Sequence, residues 1–183
     1  MSTIVVSAWV TLDGIFDANS MHEWFNPFDS LERQKYIQGS ILGSDALLLG
    51  RITYEMLSSY WPNLKNNEMG VAAKLNSMPK YVVSSSLKKA DWENSTIING
   101  DLVAAITKLK EQEGGEIQIE GSATLVEALA KANLVDEFRF LVHPVIMGTG
   151  KRFFREEMQA KGLKLVKSEP VALGVMLLCY KRA

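Results

Sequence analysis

Few residues in this sequence could do chemistry, and several reactions are excluded by what does not accompany them. The two histidines, His22 and His143, lie far apart, with no HExxH pair, His/Cys cluster or GxSxG elbow around them. Metallohydrolase and serine-hydrolase mechanisms therefore have nothing to run on, and no metal site is expected. His143 precedes Pro144 at the end of an apolar run and is assigned a structural or surface role. Cys179 is the single cysteine, so neither an internal disulfide nor a CxxC zinc site can form. Gly148-Thr149-Gly150-Lys151 has the tail of a phosphate loop, but a Walker motif needs Gly where Val145 stands and Ser or Thr where Arg152 stands. ATP chemistry is excluded, and the segment is either a tight cation-bearing loop beside a site or a plain turn.

No GxGxxG is present, so a dinucleotide would have to bind without the usual fingerprint. Helix N-termini can still hold phosphate, because their first N–H groups have no partner within the helix and the dipole end is positive. Two segments place small or hydroxylated residues at such a start: Gly50-Arg51-Ile52-Thr53 and Glu120-Gly121-Ser122-Ala123-Thr124. Singly, each reads as a simple cap. Together they point to a ligand with two separated phosphate groups. Asp13 and Glu120 fall at strand ends on the same side of the sheet expected below. Each is either a solvated turn carboxylate or an acid–base or substrate-anchoring group. Trp24-Phe25 reads as a loop folded over its own core in preference to a stacking platform.

These residues depend on alternating strands and helices. Short apolar, β-branched runs predict strands at Ile4–Val10, Ala46–Leu49, Lys80–Ser84, Thr96–Ile98, Glu116–Ile119 and Glu137–Val142. Asp29 with Glu32 predicts a capped helix running to Leu42 and stopping at Gly43, and Thr53 an N-cap for a helix ended by Trp61-Pro62. Leu102, Val103, Ile106 and Leu109 form one helical stripe, and Leu125, Val126 and Leu129 another, with Glu127 and Lys131 as an i,i+4 pair. Leu163–Glu169 and Val175–Tyr180 read as a hairpin turned at Leu173-Gly174. Alternation followed by a hairpin implies an α/β sandwich, with a mixed, mostly parallel sheet and antiparallel strands at the C-terminus.

Bulk properties agree. The 183 residues suit one domain with a substantial core. With 47% hydrophobic and 22% charged residues the chain is globular in composition. A formal net charge of −1 argues against a nucleic-acid partner. No apolar run reaches the ~20 residues of a membrane span, and the N-terminus reads as a strand, so a cytoplasmic location is expected.

Six segments also follow one another in an order that resembles the dihydrofolate reductase-like superfamily. They are Thr11-Leu12-Asp13-Gly14, Gly50-Arg51-Ile52-Thr53-Tyr54-Glu55, Pro79-Lys80-Tyr81-Val82-Val83-Ser84, Gly121-Ser122-Ala123-Thr124-Leu125, Leu134-Val135-Asp136-Glu137 and Pro144 to Phe154. The set is most similar to stand-alone relatives of the C-terminal reductase domain of the bifunctional riboflavin-biosynthesis deaminase-reductase, and spans nearly the whole chain. The resemblance implies one three-layer α/β/α domain over residues 1–183, NADPH as hydride donor, and a homodimer. Gly50, Arg51 and Thr53 resemble the segment that grips the adenosine end with its 2′-phosphate, a task suited to the guanidinium fork. Ser84 and Ser85 resemble the next contributor, although the family often has Arg at the second position. Gly121, Ser122, Ala123 and Thr124 match the turn that cradles the pyrophosphate, and Glu120 matches the carboxylate before it. On the substrate side Ile15 stands where pyrimidine reductases carry a lysine after Asp-Gly, and Tyr54 to Trp61 is unlike their longer segment.

The resemblance therefore implies an NADPH-dependent reductase acting on a C=N or C=O carbon of a small heterocyclic or ribosylamino-pyrimidine-like substrate. That activity is similar to the 5-amino-6-(5-phosphoribosylamino)uracil reductase step of riboflavin biosynthesis. Asp13 and Glu120 are its candidate proton-relay or anchoring groups. The alternative is a non-catalytic member of the same fold that binds a nucleotide or a partner.

Overall fold

The computed structural model describes residues 1–155 and 158–183. Eight strands form one sheet: β1 (Thr3–Thr11), β2 (Ala46–Gly50), β3 (Lys80–Val83), β4 (Ser95–Ile98), β5 (Glu116–Gly121), β6 (Glu137–His143), β7 (Leu163–Ala172) and β8 (Val175–Arg182). Their order is β4-β3-β2-β5-β1-β6-β8-β7. The first six in that order are parallel, and β8 and β7 close the sheet antiparallel, as expected. All six parallel strands therefore present their C-terminal ends on one rim, where α/β sheets bind ligands.

Six α-helices accompany them: α1 (Met21–Trp24), α2 (Leu31–Gly43), α3 (Arg51–Tyr60), α4 (Ala72–Ser77), α5 (Leu102–Glu111) and α6 (Ala123–Lys131). Side chains of a strand alternate between faces, so each strand feeds two cores. On one face Val6, Ala8, Leu48 and Ile119 pack against Ile106 and Leu109 of α5 and Leu125 and Leu129 of α6. On the other, Leu47, Leu49 and Val82 meet Ile41 of α2, Tyr54 of α3 and Leu75 of α4, while Leu141 and Leu177 pack on Tyr36 and Ile37 of α2. This is the three-layer α/β/α arrangement. Each fully buried Leu or Ile contributes about 1.5–3 kcal/mol relative to exposure, so both faces are needed.

Two caps differ from expectation. α2 is capped by Ser30, whose hydroxyl accepts from the Arg33 amide at 3.1 Å, while Asp29 accepts from the Arg33 guanidinium at 3.0 Å. α3 begins at Arg51, directly after β2, with Gly50 as its cap, so Thr53 lies inside the first turn. A glycine cap leaves no side-chain signature, which is why the pattern points to the hydroxyl three residues on. The short helices α1 and α4 have no periodic stripe to announce them. Lys80 fixes the end of α4: its buried ammonium donates to the carbonyls of Leu75, Asn76 and Met78 at 2.6–3.0 Å and lies 4.4 Å from the Trp92 ring centroid. Burial draws its pKa down to about 8.

Among the described residues no helix is long and apolar enough to cross a membrane. None of their His, Cys, Asp and Glu side chains gather in a group of three able to hold a metal.

Candidate functional site

The rim carries three adjoining hollows, and the route between them follows the strand ends. The outermost, about 350 Å³, lies beyond β3 and β4 and is lined by Arg51, Ser84 and Ser85 with Ile98 to Gly100. Ser85 is exposed. The Ser84 hydroxyl is mostly used locally, accepting from the amides of Ser86 and Leu87 at 3.2 and 2.9 Å and so shaping the turn. Arg51 donates through Nη1 to both carboxylate oxygens of Glu55 at 2.9–3.0 Å, a half-exposed pair one helical turn apart. Such a pair is worth only a few tenths of a kcal/mol, so another anion can displace it.

Next along the rim, β2 and β5 come together. A Cβ on Gly50 would stand 2.7 Å from Ser122 Oγ, and one on Gly121 would stand 3.0 Å from Thr53 Oγ1. Gly121 has φ +145°, and its peptide to Ser122 is cis. No larger residue fits at either glycine without displacing these side chains, so the two glycines let the starts of α3 and α6 pack closely together. Ser122 caps α6 by accepting from Leu125 N at 3.4 Å, and its neighbours Ala123 and Thr124 carry helix-start amides that have no partner within α6.

Thr53 and Ser122 to Thr124 also line a cavity of about 420 Å³. Thr53, Met56 and Leu57 of α3, Ile37 and Ser40 of α2, and the segment Phe16 to Ala18 form its walls, with Trp24 and Lys151. Ser7 and Trp9 of β1 with Gln118 and Glu120 of β5 form its floor. Strand alternation is the cause: Ile117 and Ile119 face α5 and α6, so Gln118 and Glu120 must face α2. Glu120 also lines a larger cavity of about 750 Å³ beyond it, walled by Phe25, Tyr60, Trp61, Met69 and the buried Arg33. The carboxyl thus stands where two largely apolar chambers meet. Burial there pushes its pKa up, opposed by the Gln118 Nε2–H donated to Oε1 at 3.0 Å. A carboxyl in this setting retains a proton nearer neutrality than one in water.

Asp13 has a different place. It lines neither chamber. Its Oδ1 accepts from Thr11 Oγ1 at 2.6 Å and from the Met147 amide at 3.2 Å, and its Oδ2 accepts from the Gly148 amide at 2.8 Å. The Thr11 hydroxyl and those two amides hold its pKa down to about 2. Asp13 is therefore an anionic staple between the turn after β1 and the 145–153 loop. It has no proton to give near neutrality, so this geometry lends the proton-relay expectation no support. Ile15 is buried and bridges to Arg152, so the position where pyrimidine reductases carry lysine is used for packing.

Thr53, Glu120, Ser122, Ala123 and Thr124 are thus brought together around one cavity, with Gly50 and Gly121 at the close approach of the helix starts and Arg51, Ser84 and Ser85 around the outer hollow. Trp9, Phe16, Asp17, Gln118 and Ser40 escaped the sequence reading; Gln118 alone carried a signal, a polar residue within an apolar strand pattern. The 148–151 loop does carry its cation to the cavity: Lys151 lines it and donates its amide to Asp17 Oδ2 at 3.3 Å. His143 is fully buried, with Nδ1 3.3 Å from the Val10 carbonyl and Nε2 3.3 Å from Arg33 Nη1, and burial drives its pKa down to about 4. It stays neutral and structural. Trp24 packs edge-on against it, and Phe25 stacks on Trp9 with centroids 4.5 Å apart.

Comparison with known proteins agrees with this geometry. The sequence model of the family described as RibD C-terminal domain matches residues 2–177. The chain is 29% identical over 182 residues to the uncharacterized protein YyaP of Bacillus subtilis (strain 168), covering 97% of this chain and 93% of that one. Its fold is similar to that of a putative riboflavin biosynthesis protein from Shewanella sp. PV-4, with TM-score 0.79, 21% identity and 99% of each chain covered. It is also similar to dihydrofolate reductase from Enterococcus faecalis complexed with NADP(H) and RAB-propyl, with TM-score 0.65, 15% identity, and 98% and 96% of the two chains covered. The fold is dihydrofolate reductase-like.

Proposed function

This chain belongs to the RibD C-terminal domain family, and on that premise we propose that it is an NADPH-dependent reductase. Its substrate is a small heterocycle, with a ribosylamino-pyrimidine as one member of the class, reduced at a C=N or C=O carbon. The observation that carries the reading is the close approach of the α3 and α6 starts at Gly50 and Gly121, with a hollow lined by Arg51 and an apolar cavity lined by Glu120 on the same rim. An extended dinucleotide needs those three features together.

In this reading Arg51 and Ser85 hold the 2′-phosphate end, Ser84 shapes the turn that presents Ser85, and Gly50, Thr53 and the turn from Gly121 to Thr124 hold the pyrophosphate. The cofactor, when bound, supplies a hydride. The chain's part is to orient the acceptor, keep water out and provide the proton. Trp9, Phe16 and Leu57 supply the apolar walls, and Glu120 the proton, given to the nitrogen or oxygen next to the reduced carbon. A homodimer and a cytoplasmic site of action belong to the same reading. Leu163, Leu165 and Val166 are exposed on edge strand β7, and a second copy would cover them.

Fluorescence titration tests the cofactor half. NADPH should bind, and Arg51→Ala should weaken NADPH about tenfold or more while leaving NADH within about twofold, because the lost bonds are charge-assisted ones to a phosphate NADH lacks. Equal loss for both cofactors overturns the Arg51 assignment, and no binding of either overturns the function. One observation favours a second reading: Ile15 is packed where the pyrimidine reductases present lysine. A nucleotide-binding member without turnover would bind NADPH and leave it unoxidised against pterins, pyrimidines and ketones.

A further inference from the structure

Gln118 and its surroundings are not explained by the reading above. It is a buried amide in mid-strand, yet its hydrogen bonds close around Glu120. Its Nε2 donates to Glu120 Oε1 at 3.0 Å, and its Oε1 accepts from the hydroxyls of Ser40 and Ser44, both at 2.8 Å. Ser40 lies in the last turn of α2 and Ser44 caps its C-terminus, both on the side toward β5. Ser44 has one hydroxyl proton and three acceptors within reach: Gln118 Oε1, the Ser40 carbonyl at 2.8 Å and Glu116 Oε1 at 3.2 Å. Only one can be served at a time.

That surplus of acceptors has a chemical consequence. With Glu120 ionised, the observed arrangement is satisfied: the amide donates to the carboxylate and accepts from both hydroxyls. With Glu120 protonated on Oε1, the oxygen that faces Gln118, its O–H needs an acceptor, and a donor in the same place would oppose it. A half-turn of the Gln118 amide repairs this. Oε1 then accepts from the Glu120 acid, and Nε2 donates to Ser40 Oγ and Ser44 Oγ. Ser44 passes its own proton to the Ser40 carbonyl or to Glu116, and the Ser40 hydroxyl turns toward the cavity it lines. Both polar atoms of the Gln118 amide keep a hydrogen-bond partner in either state.

We propose that Gln118 is the positioning residue for Glu120, its amide reversing in step with the carboxyl's proton so that the acid is held in one place before and after it gives that proton up. This deepens the reductase reading and rests on it for its catalytic meaning. When Glu120 gives its proton to the substrate nitrogen or oxygen it becomes a carboxylate, the amide returns to the observed orientation, and solvent restores the proton for the next cycle. The charged groups facing this corner are Asp17 after β1 and Lys151 of the 145–153 loop around the smaller cavity, Asp29 before α2 with Arg33 and Lys35 on it around the larger one, and Glu116 behind Ser44 on β5. Among the side chains at this corner, Gln118 is the one whose amide donates to Glu120.

The test uses the ligand-free protein, so it does not depend on turnover. Nuclear magnetic resonance follows the Gln118 side-chain amide and the Glu120 carboxyl carbon across a pH titration. Both should shift with one midpoint. Ser40→Ala and Ser44→Ala, which remove the hydroxyl partners without touching Glu120, should each displace that midpoint, and Gln118→Met should raise it by removing the donor to the carboxylate. In the reductase assay Gln118→Met should lower kcat about tenfold with little change in KM and shift the pH profile in the same direction. An amide signal that stays fixed while Glu120 titrates overturns the proposal, as does a midpoint unmoved in both serine variants. Failure of NADPH binding would overturn the reductase reading instead, and the wild-type titration still decides the Gln118 question if Gln118→Met does not fold.

Discussion

Asp13 and Glu120 lie at the same end of neighbouring parallel strands, and the fold treats their charges in opposite ways. Asp13 sits where a turn and a distant loop converge, so a hydroxyl and two backbone amides surround it and its proton is expelled. Glu120 sits between two apolar chambers with one amide donor, so ionisation is resisted. The comparison teaches that a carboxylate at a strand end acquires its role from the number of donors around it. The one rich in donors holds the rim together, and the poor one is equipped to move a proton.

The largest effect expected from this contrast is at Glu120. Glu120→Gln keeps the shape and removes the exchangeable proton, so reductase activity should fall about 10²–10⁴-fold, the range for general acid catalysis. Wild-type activity should decline as pH rises through the raised pKa of Glu120, and that limb should vanish in the variant. Wild-type stability should fall over the same pH range. A carboxyl whose folded-state pKa lies above its unfolded value stabilises below the unfolded pKa and loses that contribution as pH rises through the folded one. At neutral pH, Glu120→Gln should therefore melt no lower than wild type. A variant that is both inactive and strongly destabilised would place Glu120 with Asp13 and erase the distinction.

Asp13→Asn should do the reverse at smaller scale. It weakens three hydrogen bonds in a half-exposed turn, for a loss of about 1–2 kcal/mol after solvent screening, or about 2–8 °C in Tm for a chain of this length. Turnover should change by less than about threefold, because Asp13 lines no chamber. Its folded-state pKa of about 2 is below the unfolded value, so its contribution is present at pH above the ordinary carboxylate range and is lost as pH falls toward 2. Urea unfolding should separate the two proteins at pH 7 and bring them together near pH 2.

The same contrast explains what the sequence could and could not reveal. The central strands such as β1 and β2 are visible as apolar runs, because burial on both faces leaves an unbroken signal, whereas the exposed edge strand β7 is visible through the turn at Leu173-Gly174 that pairs it with β8. The stripes of α5 and α6 are likewise visible through burial. The segments before the two glycine-lined turns are also legible, since only Gly fits at Gly50 and Gly121. The setting of Asp13 was not legible, because its amide donors come from Met147 and Gly148, more than 130 residues away, and no local spacing encodes them. Gln118 and Ser40 were missed because their meaning lies in a contact between β5 and α2. Local pattern fixes which face a residue takes; partners from other elements fix what it does there.

Arg51 completes the comparison from the cationic side. Unlike Arg33, whose guanidinium is buried against Phe25, His143 and Asp29, Arg51 is half exposed and held by Glu55 alone among the described residues. Glu55 keeps the side chain extended on the helix surface and competes with any phosphate that approaches it. Glu55→Gln should remove the competitor, worth about 0.3–0.5 kcal/mol for an exposed i,i+4 pair. NADPH affinity should then rise about twofold while NADH affinity stays unchanged. The gain should fade between low and high salt, because the pair and its replacement are both open to screening. A gain shared by NADH would move Arg51 away from the 2′-phosphate, and a loss would mean that Glu55 holds the guanidinium in the orientation the phosphate requires.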